Sequence, residues 1–183
     1  WDEYIAALGK VSDIAVLGVT DYFTIDGYKK VLQLQNNGEL QNFSLLIPNI
    51  ELRLDIFVPK RSSGEQQRRL NLHVLFSNEV EVKDIESQFL HALKIKIEGS
   101  PGGTVDERML TRESIEEAGR SVKKFQTSSA IDSDFVAGCK NITVSLSDIT
   151  RALQKSCFDG KFLLILPTAD WDQISWEGQD YLT

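Results

Sequence analysis

Between Asp13 and Val19 the chain carries a short, nearly continuous apolar run that breaks off into Thr20-Asp21. A run of strand length without polar alternation belongs to a strand covered on both faces. Helices must supply that cover, and the flanking segments have helical spacing. In residues 2 to 9, Tyr4, Ile5 and Leu8 fall on one side and Gly9 stands at the C-cap position. From Ile25 to Leu34, Ile25, Tyr28, Val31 and Leu32 share a face, and Asn36-Asn37-Gly38 ends the helix. Helix, buried strand, helix is the opening of an α/β protein.

The pattern continues downstream. Phe43 to Ile47 reads as a second strand, interrupted by Pro48. Ile50, Leu52, Leu54 and Ile56 then alternate with Glu51, Arg53 and Asp55, predicting a half-exposed strand. Leu70 to Phe76 predicts another strand and Val82 to Leu93 another helix. A Gly-rich stretch, EGSPGGTVD over residues 98 to 106, opens a polar insertion around 96–135. Within it Thr111 is placed to N-cap a helix over Arg112 to Phe125, with Ser114 and three glutamates toward its N-terminal end. Residues 127 to 134 are loop-like. Ser147 or Asp148 caps a helix through Lys155, and Phe162 to Leu166 is expected to be a buried strand.

The chain has 183 residues, enough for one domain with a sizeable core, so residues 1–183 are expected to form a single domain. Trp1 in place of an initiating methionine predicts a piece of a longer protein, with residues before it. No apolar stretch approaches the ~20 residues that span a bilayer, which excludes a helical membrane span. Cys139 and Cys157 lack metal-ligand or redox spacing and fit a reducing, cytoplasmic setting. The net charge of −7 argues against a surface that grips nucleic acid all over. One segment departs from that balance. Lys60 and Arg61 begin, and Arg68 and Arg69 end, a polar loop that is either a solvated hairpin tip or a phosphate contact.

Three polar groups sit where a core would not choose them: Asp21 after the first strand, Glu51 after the second, and His73 within the strand 70–76. Burying any of them unpartnered costs several kcal/mol, on the order of 2–7 for a neutral polar group. In parallel α/β proteins, side chains at strand carboxyl ends converge on one face, where ligands and metals bind. Two carboxylates and an imidazole gathered there suit a divalent cation. Each also has an ordinary explanation: Asp21 as a helix N-cap, Glu51 as an exposed strand position, His73 as a satisfied strand histidine.

The segments LGVTDYFTIDGY, LIPNIELRL and LNLHVLFS resemble, in order, strand motifs of the PHP (polymerase and histidinol phosphatase) superfamily, and WDEYIAAL resembles its first helix. The resemblance implies a partial or distorted (β/α)7 PHP-like barrel with largely parallel strands, of which this chain supplies the first half to two-thirds. It implies Glu51 and His73 as metal ligands, Asp21 beside the metal cluster in a catalytic role, and Mn, Zn or Mg as cofactor. With the ADWDQISWEGQDYLT segment, the chain is most similar to the N-terminal PHP-like region of TrlF-type AAA- or SMC-like ATPases. That similarity implies an ATPase domain of the same parent protein as partner and a role in DNA transactions, DNA repair or anti-phage defence. DNA or RNA is the implied contact of Lys60, Arg61, Arg68 and Arg69, and an oligomer is compatible with it.

The sequence departs from the family at several points. Tyr22 stands where a metal-binding His is usual, Leu166 precedes Pro167 where His-Pro is usual, and the opening His-x-His and closing Asp-x-His motifs are absent from these residues. No phosphate-binding Gly-x-x-x-x-Gly-Lys-Ser/Thr loop occurs either. Two expectations follow. One is a metal-dependent phosphoesterase or nuclease, a hydrolase active in the full-length protein. The other is a catalytically degenerate scaffold that docks a partner domain or senses nucleic acid, with Trp171 and Trp176 either exposed for partner contact or part of the core. In both, Tyr22 blocks one metal position and bonds Asp21 or Glu51 through its hydroxyl.

Overall fold

The computed structural model describes residues 1–60, 63–97, 107–124 and 132–167, with residues 59, 60 and 63–68 described as backbone. Helix α1 (Asp2–Leu8) leads into β1 (Val16–Tyr22), α2 (Asp26–Asn36), β2 (Leu45–Lys60) and β3 (Ser63–Phe76). An irregular helical stretch follows: α3 (Val82–Asp84), a π-turn (Ile85–Phe89) and a 3-10 turn (Leu90–Ala92). Strands β4 (Lys94–Ile97) and β5 (Glu107–Met109), helices α4 (Arg112–Lys123) and α5 (Asp134–Asn141), strand β6 (Ile142–Val144), helix α6 (Leu146–Leu153) and strand β7 (Phe162–Ile165) complete it.

These seven strands form one open, mixed sheet in the order β5-β4-β6-β2-β3-β7, with β1 also paired to β2. The α/β class holds, but the pairing corrects the expectation of a largely parallel barrel. Among the described residues only β1–β2 and β2–β6 are parallel; β2–β3, β3–β7, β4–β5 and β4–β6 are antiparallel. The physical reason is the β2–β3 hairpin. Two adjacent long strands joined by a short loop must run antiparallel, whereas parallel neighbours need a crossover.

Strand β2 is the spine. One edge carries β3; the other carries β1 over Leu45–Glu51 and then β6 at Leu54, end to end. Pro48 does not interrupt it. Phe23 N–H donates to the Glu51 carbonyl, so odd residues of β2 bond toward β1 and even ones toward β3. The missing N–H of Pro48 therefore faces the β3 side, just before the β2–β3 ladder begins at Asn49.

The inner face of this sheet carries Val19, Ile50, Leu52, Leu54, Leu70, Leu72, Val74 and Phe76, all buried. Against them pack Tyr28 and Val31 of α2 and an aromatic cluster of Phe76, Phe89 and Phe158, with ring centroids 5.1–6.3 Å apart. Helices α4 and α5 meet at their glycines: a Cβ on Gly119 would lie 1.8 Å from the Asp134 carbonyl oxygen. Helix α4 starts at the expected N-cap Thr111, in a capping box where Thr111 and Ser114 each accept from the other's backbone N–H. Ser145, rather than Ser147 or Asp148, caps α6. Strand β7 is not a buried strand: as the edge beside β3 it leaves Leu163 65% exposed. Among the described residues no helix is long and apolar enough to cross a membrane.

Candidate functional site on the outer sheet face

Register decides which of the expected site residues meet. In β1, Tyr22 aligns with Glu51 and Asp21 with Ile50; in β3, His73 aligns with Glu51. Paired residues share a face. Glu51, His73 and Tyr22 are therefore on the outer face, and Asp21 is on the inner face among the core residues. The expected convergence of Asp21 with Glu51 and His73 is corrected on this point. The cause is parity. Strand β1 extends through Tyr22 instead of ending at Thr20, and side chains alternate along it.

Asp21 does what an N-cap does, from the strand before the helix. Its Oδ1 accepts from Gly27 N–H and its Oδ2 from Tyr28 N–H, both at 2.9 Å. The chain reaches this geometry by turning at Phe23, which has φ 62° in the left-handed region. Gly27 is required beneath it, because a Cβ there would stand 2.4 Å from Asp21 Oδ1. Burial pushes the Asp21 carboxyl above its ordinary pKa, the two amides pull it back, and Asp26 adds to the rise.

On the outer face, Glu51 and His73 form a cross-strand pair, with Oε2 and Nε2 3.9 Å apart. Because Glu51 bonds its backbone toward β1, this is a non-hydrogen-bonded antiparallel pair, the type whose Cα atoms approach to about 4.5 Å. Neighbours on the same face pin both side chains. Asn71 Nδ2 donates to Glu51 Oε1 at 2.8 Å. Asn49 sets its amide against His73 Nδ1, with Nδ2 at 2.9 Å and Oδ1 at 3.3 Å, and donates to Thr20 Oγ1 at 2.8 Å. Both side chains are half-buried, His73 at 19% and Glu51 at 26% exposure. Asn49 and Asn71 were missed as site residues, although two-residue spacing from Glu51 and His73 was a readable signal.

Tyr22 lies beside this pair. Its hydroxyl is buried and has no hydrogen-bond partner, so it bonds neither Asp21 nor Glu51. Burial raises its pKa to about 12, with Glu51 adding to the rise. Arg53 opposes the rise from 5.9 Å over the ring, without closing a well-formed hydrogen bond on the hydroxyl. The Arg53 guanidinium is held instead by the Lys140 carbonyl at 2.6 Å, at the end of α5. Cys139 in the same helix has its thiol raised to about 12 by burial and is inert as a ligand or nucleophile near neutral pH.

What this donor set offers a divalent cation depends on the His73 tautomer. When Nδ1 of His73 accepts from Asn49 Nδ2, its proton sits on Nε2, facing Glu51, and the ring cannot ligate from that side. When Nδ1–H donates to Asn49 Oδ1, the Nε2 lone pair faces the carboxylate and the two residues can hold a cation between them. The fit is to two protein donors, short of the roughly three in a catalytic zinc site. Among the described residues no group of three or more His, Cys, Asp or Glu side chains gathers as a metal site.

The basic positions lie further along the same ladder. Arg69 sets its guanidinium 3.9 Å from the ring centroid of Phe57, its cross-strand partner. Lys60 ends β2 and Arg68 lies within β3 opposite Val58, while Arg61, Trp171 and Trp176 lie outside the described residues. Comparison with protein families, with curated proteins and with solved structures returns no match.

Proposed function

We propose that this chain is a PHP-like scaffold in which a phosphoesterase metal centre is reduced to the Glu51–His73 pair. In the parent protein it docks an ATPase domain, and by itself it does not hydrolyse phosphate esters. One observation carries the reading: Asp21, the third expected member, is on the opposite face with both oxygens engaged by α2. A bound Mn, Zn or Mg ion would supply Lewis acidity and an activated water. Glu51 and His73 alone would hold it weakly, with Asn49 and Asn71 fixing their orientation.

The second reading, a metal-dependent phosphoesterase or nuclease, draws support from that same orientation. An imidazole and a carboxylate braced by outer amides resemble the outer-sphere support of metal ligands in general. Further ligands would then come from residues beyond these. Calorimetric titration of the full chain with Mn, Zn and Mg, beside an assay on bis-p-nitrophenyl phosphate, separates the two. The scaffold reading expects no more than one weakly bound cation per chain, lost in Glu51→Ala, and no turnover. Tight binding of two or more cations with turnover that Glu51→Ala abolishes overturns it.

A further inference from the structure

Beyond Leu54 the β2–β3 hairpin becomes a two-stranded ribbon. Strand β6 meets β2 at Leu54, and β7 meets β3 only over His73–Phe76, so among the described residues no further strand flanks the pairs from Phe57–Arg69 outward. The ribbon is amphipathic. Val58 is fully buried on its inner side, and Phe57 is 49% exposed on its outer side.

Its charge opposes that of the rest of the chain. Residues 57–69 hold Lys60, Arg61, Arg68 and Arg69 against Glu65, a balance of 4 − 1 = +3. The remainder therefore carries −7 − 3 = −10. A net-acidic body disfavours a polyanion while this ribbon attracts it, so the segregation orients such a ligand as well as attracting it. Lysine and arginine on a sheet edge also protect against aggregation. That role does not call for an exposed phenylalanine, and here the ring stands on the outer face with a guanidinium 3.9 Å from its centre. A planar aromatic beside a planar cation is a surface on which a nucleobase stacks, while the neighbouring cations serve phosphates.

We propose that the ribbon's outer face is a binding surface for a single strand of nucleic acid, with Phe57 and Arg69 as the stacking platform and the net positive charge of residues 57–69 attracting the phosphodiester backbone. Single strands are the fitting class because a base must be unpaired to reach the ring. The face continues along the same side of β2 toward Arg53 and Glu51. Along that side a β-bulge lies between Arg53 and Phe57. The inference goes beyond the scaffold reading and does not depend on the Glu51–His73 pair, since cation binding and oligonucleotide binding are read in separate titrations.

The test is fluorescence anisotropy of the full chain with a labelled oligothymidylate of about 15 nucleotides, at salt from about 50 to 200 mM. The same length of dA·dT duplex and a polyglutamate serve as competitors. The expected result is salt-sensitive binding that prefers the single strand over both competitors. Phe57→Ala weakens it about tenfold and Phe57→Tyr restores it. Lys60→Ala with Arg68→Ala weakens it and flattens the log–log salt slope by about 0.7 per contact removed. Thermal unfolding of each variant checks that the ribbon stays folded. Absence of binding, equal or better binding of the duplex or of polyglutamate, or a folded Phe57→Ala with unchanged affinity overturns the proposal.

Discussion

On the inner face of the sheet, Asp21 lies beside Val19 and Ile50 and commits both carboxylate oxygens to the amides of Gly27 and Tyr28. On the outer face, one register position away, Glu51 gives one oxygen to Asn71 and turns the other toward His73. The two carboxylates lie one register position apart on adjacent parallel strands and look interchangeable by position. Side-chain parity separates them. The inner carboxylate is part of the fold, and removing it disturbs helix α2; the outer one is braced but leaves the core intact. Local burial and the register of one strand, more than residue type, divide structural from functional chemistry here.

The contrast is broken most forcefully with two consecutive residues. Ile50 is fully buried among the inner-face apolar residues. Ile50→Ala should cost about 2–5 kcal/mol, the usual range for a cavity of that size. Glu51→Ala should cost less than about 1 kcal/mol, because its pairing with His73 is partly solvated and only 3.9 Å-close. Urea unfolding of the two variants measures both. A Glu51→Ala cost equal to that of Ile50→Ala would mean the outer face is a second core rather than an open site.

A subtler test concerns Asp21. Asp21→Ala removes the cap on α2 and should cost about 1–2 kcal/mol near neutral pH. Gly27→Ala should disturb the same cap, since its methyl would collide with Oδ1. The pH dependence has a definite sign. The folded-state pKa of Asp21 is raised above 3.8, chiefly by burial, so the folded protein holds that proton more tightly than the unfolded chain. That contribution is fully present below the unfolded pKa and is lost as pH rises through the folded one. The stability gap between wild type and Asp21→Ala should therefore narrow as pH rises from below 3.8 through the raised pKa. Denaturant titrations across that window check it, and a gap that widens instead would show the amide bonds outweighing burial.

These residues also mark what could be read from the sequence. The helices at 2–9, 25–34 and from 112 onward were legible because their apolar spacing and caps are local. The alternation around Glu51 was legible for the same reason, and it placed Glu51 on a half-exposed face. Strand direction was not legible: whether β2 pairs with β3 as a hairpin or by crossover depends on a polar stretch that is strand backbone on both sides of Arg61 and Ser62. The end of β1 was misjudged by two residues, and side-chain alternation along the longer strand puts Asp21 on the other face. Strands β4, β5 and β6, each three or four residues long, give too short a pattern to separate from loop.

The smallest expected effect is the sharpest for the outer face. Tyr22 reaches into the site with a buried hydroxyl that has no partner. An orphaned buried hydroxyl is a liability to the fold, on the order of 1–3 kcal/mol against a satisfied one. Removing it by Tyr22→Phe leaves the ring, its edge-on contact with Phe23 at 4.7 Å and its packing near Arg53 unchanged. If the hydroxyl serves only as filler where an imidazole would ligate a metal, Tyr22→Phe should leave stability unchanged or raise it by about 0.5–1 kcal/mol. Tyr22→His should then tighten cation binding by adding a third donor beside Glu51 and His73, seen as a larger Mn-induced rise in Tm. If the hydroxyl belongs to a working site, held by a bound group or by Glu51 in solution, Tyr22→Phe should destabilise the chain and lower its cation affinity. Thermal unfolding with and without Mn reads both outcomes in one experiment. A loss of stability in Tyr22→Phe, larger in the presence of Mn, would move this face from the scaffold side of the comparison to the enzymatic one.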